Sequence, residues 1–134
     1  MNVVISYSEI LNFIGRKFNV QPTLATIDEK TLEVSYKPVS FMPSISVRFH
    51  LEVIRRNDIV SLSYECGKAT SLMIAGIVAK FEDKIPTGID VDTSNQCVNI
   101  YPQRFKQLEK ALEYVVLSNI TFEENSVNVA LIMV

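Results

Sequence analysis

The chain has 134 residues, 48% hydrophobic and 21% charged, which fits one globular domain with a core of ordinary size. Its net charge is −2 with acids and bases interspersed, which excludes the clustered Lys and Arg of a nucleic-acid groove or a membrane-surface patch. Two cysteines, Cys66 and Cys97, make no disulfide framework, and the longest uncharged apolar stretch, Leu72 to Ala79, falls far short of a spanning helix.

From Met1 to Leu11 there is no basic segment followed by a long apolar run, so no secretory signal is read and a cytoplasmic location is expected. Ser6 with Glu9 forms a capping-box pattern that predicts a helix start near Tyr7. Tyr7, Ile10, Leu11, Ile14 and Phe18 then make one apolar stripe at helical spacing, ended by Asn19 and Pro22.

A hairpin is expected over 23–37. With a turn at Glu29-Lys30, Ile27 faces Leu32 and Ala25 faces Val34. A Pro-flanked connector, Pro38 to Pro43, carries Phe41 and Met42, which either tuck under or meet a partner. The next hairpin spans 44–66. A turn at Asn57-Asp58 sets Val53 against Leu62, Leu51 against Tyr64 and Phe49 against Cys66. Ile45, Val47, Phe49, Leu51 and Val53 then share an inner face, while Ser46, Arg48, His50 and Glu52 share a wet one.

Gly67 breaks the strand, and a second helix is expected from Lys68 to about Lys84. It is apolar almost all round at LMIAGIVA, as a helix enclosed by the fold would be, although Leu72 to Val78 also reads as a strand. Gly76 costs roughly 1 kcal/mol of helix stability, so close backbone packing beside Ala69, Ala75 and Ala79 is the expected compensation. Pro86 to Gly88 turns into a third hairpin, where a turn at Ser94-Asn95 pairs Val91 with Val98 and Ile89 with Ile100. Pro102 opens an expected third helix with the stripe Phe105, Leu108, Leu112, Val115 and Val116. A last hairpin turning at Glu124-Asn125 pairs Phe122 with Val127 and Ile120 with Val129. Its final strand is apolar on both faces, which suits a central position.

These elements predict a single α+β domain over 1–134, with a largely antiparallel curved sheet of about eight strands packed on three helices. Cys66 falls on an inner face and Cys97 on an outer one, as two reduced thiols.

Chemistry is sparse. His50 is the one histidine; it stands between Arg48 and Glu52 and, by the register above, opposite Glu65, with Ser63 the nearest hydroxyl. A charged strand surface accounts for it, and no catalytic residue is assigned. One His and two Cys on opposite faces make no metal site. Asp90-Val-Asp92 opens like a calcium loop but lacks the sixth-position glycine and has Tyr101 where the glutamate belongs. The glycines are scattered singly, so no phosphate loop exists, and Arg104, Lys106 and Lys110, interrupted by Glu109 and Glu113, make a solvated face. No cofactor is expected.

The opening ISYSEILNFIGRKF, with Ser6, Ile10 or Leu11, Asn12 and Ile14 at the matching positions, resembles the tubular lipid-binding (TULIP) superfamily, as do the hairpins and the closing ITFEENSVNVALIM. The resemblance implies a curved antiparallel sheet around a helix, an apolar groove, and binding without catalysis. On this reading the chain is a non-catalytic binding protein for a lipid-like or other hydrophobic ligand. Leu72, Met73, Gly76 and Ile77 line the groove, and Phe41 and Met42 act as a lid. The competing reading is a protein-interaction or self-assembly domain, homo-oligomeric through a sheet edge or the Phe41-Met42 segment.

Overall fold

The computed structural model describes residues 1–37 and 44–134, so Phe41 and Met42 lie outside the described residues. In chain order the elements are β1 (Asn2–Ser6), α1 (Tyr7–Phe18), β2 (Thr23–Asp28), β3 (Thr31–Tyr36), β4 (Ile45–Arg55), β5 (Ile59–Glu65) and α2 (Lys68–Lys80). Then come β6 (Ile89–Asp92), β7 (Cys97–Ile100), β8 (Val115–Phe122) and β9 (Ser126–Met133). The class is α+β with antiparallel pairing throughout, but the strands form two sheets, ordered β1-β9-β8 and β2-β3-β4-β5-β7-β6. The expected single curved sheet is corrected accordingly. As its two apolar faces require, β9 is the central strand of the smaller sheet.

Helix α1 begins where the sequence predicts. Glu9 N–H donates to the Ser6 hydroxyl at 3.2 Å, and Ser6 N–H donates to the Glu9 carboxylate at 3.3 Å. Asn19 closes it in the left-handed region (φ 55°). The third helix is absent among the described residues: 102–113 holds three single 3-10 turns, and Val115 and Val116 open β8 instead. Those two β-branched residues favour an extended chain, and Phe105 leaves helical geometry (φ −91°, ψ 115°) to lay its ring on Gly88.

Two hairpins keep the predicted register: Val91 with Val98 and Ile89 with Ile100, and Phe122 with Val127 and Ile120 with Val129. The other two do not. In β4–β5 the turn is three residues, Arg56 to Asp58, with Arg56 at φ 48°. A bulge at Glu52 adds a second slip, so Leu51 faces Leu62 and Phe49 faces Tyr64. Two slips restore the inner face, yet beyond the bulge Ile54 turns inward and Val53 is 41% exposed. In β2–β3 the turn stands at Glu29-Lys30, but a bulge at Ile27 brings Thr26 opposite Leu32 and Leu24 opposite Val34. Thr26 is needed there, because its hydroxyl bonds both the Tyr7 hydroxyl and the Glu123 carbonyl where the sheets meet.

One face of the larger sheet is covered in two parts. At one end the smaller sheet packs on it through Leu51, Val60 and Leu117, ringed by Ile54, Leu62, Ile120 and Leu131. At the other end α2 lies over Val34, Val47, Phe49 and Tyr64. The opposite face carries a polar row in which Thr31, His50, Ser63, Cys97 and Asp92 are successive cross-strand partners.

Candidate functional site: an apolar cleft beside α2

The helix expected to be sheathed is not. No residue of α2 is fully buried, Leu72 is 76% exposed, and a Cβ built on Gly76 meets nothing within 4 Å. Being apolar all round, α2 has no dedicated wet side, and the fold has only one sheet end to offer it. Gly67, at the N-cap before it, provides no side-chain cap, and a bond from Gln96 Nε2 to the Ser71 hydroxyl (3.2 Å) ties its first turn down.

Between the last turn of α1, the flank of α2 and β3 lies a cleft of about 600 Å³, the size range of small-molecule sites. Phe18, Tyr36, Met73, Ile77, Phe81 and Ile85 give it an apolar lining. Phe18 meets Phe81 edge to face, with ring centres 5.8 Å apart at 88°. Lys80 reaches the cleft wall, and the ammonium groups of Lys80 and Lys84 each stand 5.6 Å from the Phe81 ring centre. Val78 borders both this cleft and a wholly apolar space of about 230 Å³ beneath α2.

Tyr64 borders that inner space; it is 3% exposed, and its hydroxyl has no hydrogen-bond partner among the described residues. Burial pushes the phenol upward from its ordinary pKa, and the nearby Cys66, Cys97 and Asp92 push the same way. The group is therefore a neutral donor at physiological pH.

Of the expected groove residues, Met73 and Ile77 line the cleft; Leu72 and Gly76 do not, and Phe41 and Met42 are outside the described residues. Sequence reasoning missed Phe18, Tyr36, Phe81 and Tyr64 as site residues. Phe18 was visible as the last member of the α1 stripe, and nothing local linked it to Phe81.

The polar face brings no catalytic set together. His50 stands opposite Ser63 rather than Glu65 and shares a 2.9 Å bond between Nδ1 and the Thr31 hydroxyl, while Ser63 donates to Glu52 at 2.7 Å. Asp92 accepts from the Asn95 backbone (3.1 Å) and side chain (2.7 Å), a turn-holding role. Cys66 and Cys97 are free thiols. Among the described residues no acidic, His and Cys groups gather as a metal site, and no helix is long and apolar enough to cross a membrane. Compared with known proteins, the chain matches no family model, no curated protein and no solved structure.

Proposed function

We propose that this chain is a non-catalytic binding protein whose α1–α2–β3 cleft takes a hydrophobic ligand with a lipid-like apolar body. The observation that carries the reading is the 600 Å³ apolar cleft standing against a second, wholly apolar space beneath α2. An apolar body displaces weakly held water from such walls. Lys80 at the cleft suits an acidic head group. The TULIP-like opening points to the same class of ligand. The alternative, a self-assembly domain, draws on a different surface, the outer edge of β1.

The test is uptake of a fluorescent fatty acid by delipidated protein, read with native mass spectrometry. One molecule per chain is expected, with uptake lost in Ile77→Glu, a partly exposed position where the charge leaves the fold intact. Wild-type protein that carries no apolar ligand and takes up no probe would end this reading.

A further inference from the structure

Three of the four sheet edges carry a device against pairing with another chain. β2 has its bulge at Ile27, and β6 carries the carboxylates of Asp90 and Asp92. β8 has a bulge at Ser118, and three of its outward groups are taken: Leu117 N–H by Asn57, Ile120 C=O by Lys30, Phe122 N–H by the Glu29 carbonyl. β1 has none of these. Asn2–Ser6 contains no charge, no proline and no bulge, and Val3 and Val4 are 43% and 58% exposed.

The backbone of β1 states what would pair with it. Met1 and Leu131 exchange both bonds (3.2 and 2.7 Å), and Tyr7 N–H donates to the Asn125 carbonyl (2.9 Å). By the two-residue period of an antiparallel ladder, Met1, Val3, Ile5 and Tyr7 face β9, and Asn2, Val4 and Ser6 turn their groups outward. Ser6 is consumed as the cap of α1: its N–H bonds Glu9, and a cap carbonyl accepts the first helical bond. Among the described residues, Asn2 and Val4 are left with free donors and acceptors.

From this geometry we infer that β1 is a homodimerisation strand, pairing antiparallel with β1 of a second copy about a twofold axis at Val3. In that register Asn2 of each copy faces Val4 of the other, and four backbone hydrogen bonds use every free outward group. Val3 meets its own mate as a close, non-hydrogen-bonded pair, and Met1 of each copy meets Ile5 of the other. Every cross-strand pair on that face is apolar and no like charges meet, so the strand complements itself. The two three-stranded sheets become one of six. The cleft beside α2 takes no part, so dimerisation and ligand uptake stand or fall separately.

Sedimentation velocity from low micromolar to near-millimolar concentration tests this. A reversible dimer is expected. Val4→Pro removes only an N–H that points away from β9, and with it two of the four bonds, so dissociation should strengthen about 30-fold. Val3→Lys, which sets two ammonium groups at the axis, should weaken the dimer at least as much. Circular dichroism reports whether each variant is folded, and the two act by different means, so loss of one leaves the other as the test. A wild type that stays monomeric overturns the inference, whether or not it takes up an added extended peptide of unrelated sequence. So does a dimer that neither folded variant weakens.

Discussion

The side chain of Asn57, at the tip of the β4–β5 hairpin, completes the edge of β8: Leu117 N–H donates to its Oδ1 at 2.9 Å, and its Nδ2 donates to the Val115 carbonyl at 2.9 Å. Asn57 is buried, so each bond replaces water that has no access. Asn57→Ala leaves one donor and one acceptor of the β8 backbone unpaired, and each costs about 1–3 kcal/mol. A loss of roughly 2–6 kcal/mol is expected in urea unfolding. Asn57→Asp keeps the acceptor but sets a buried carboxylate against the Val115 carbonyl, so it should lose at least as much.

That contact also explains why the β4–β5 register departs from the one the local sequence predicts. A two-residue turn at Asn57-Asp58 was the natural reading of the local sequence, but Asn57 is engaged some sixty residues away and the turn takes three residues to present it. Local pattern carries local pairing. The hairpins at Ser94-Asn95 and Glu124-Asn125 keep their pairing beside the turn because the distant bonds there, from Tyr64 N–H to the Gln96 carbonyl and from Tyr7 N–H to the Asn125 carbonyl, engage backbone groups and pull no side chain of the two-residue turn. Thr26 and Asn57 are pulled by the other sheet, and a bulge or a longer turn follows in each case. The cleft was half legible for the same reason. Met73 and Ile77 sit on a helix that composition marks as apolar, whereas Phe18 and Phe81 are brought together only by tertiary packing.

The bulge at Glu52 predicts an inversion of side-chain value along β4. Val53, on the face the alternation assigns to the core, is exposed, and Ile54 packs against the Leu51–Val60–Leu117 cluster. Val53→Thr should change stability by no more than about 0.5 kcal/mol, whereas Ile54→Ala should cost about 2 kcal/mol or more. Equal effects in urea unfolding would place both side chains alike and contradict the bulge.

Gly76 and Gly88 should respond to alanine with opposite signs. At Gly76 a Cβ meets nothing, so Gly76→Ala gains helix propensity of about 1 kcal/mol. At Gly88 the Cβ would lie 2.3 Å from the Phe105 ring, so Gly88→Ala displaces that ring and costs about 1–3 kcal/mol. The clash is specific to the pair. The loss on Gly88→Ala should therefore shrink in a Phe105→Leu background, and a double-mutant cycle by thermal unfolding measures it.

Asp28 and Asp92 both lie below their ordinary value of 3.8: Asp28 through the Lys30 backbone and the Thr31 hydroxyl, Asp92 through the side chain and backbone of Asn95. A carboxyl lowered in the folded state contributes stability that is complete above the unfolded value and lost as pH falls through the folded one. These two turns therefore make no demand between neutral pH and about 5, and they loosen below about 4. Unfolding midpoints followed through that window should fall less steeply in Asp28→Asn and Asp92→Asn. Asp28 is exposed and Asp92 partly so, and salt should also blunt the effect.

Tyr64 separates ligand binding from folding in one substitution. Its hydroxyl is buried without a partner beside the space under α2, a standing cost of about 1–3 kcal/mol for a polar group cut off from water. Tyr64→Phe removes that cost and keeps the ring against Phe49, whose centre lies 5.8 Å away. The ligand-free variant should therefore unfold at a higher urea concentration than wild type. If a bound ligand supplies the missing acceptor, the same variant should bind a carboxylated or carbonyl-bearing apolar probe about tenfold more weakly, because the bond it loses is worth about 1 kcal/mol or more. A purely hydrocarbon probe should bind both proteins equally. Stabilisation with unchanged affinity for every probe would mean that the hydroxyl takes no part in recognition, and would confine the ligand to the outer cleft lined by Phe18, Met73 and Phe81.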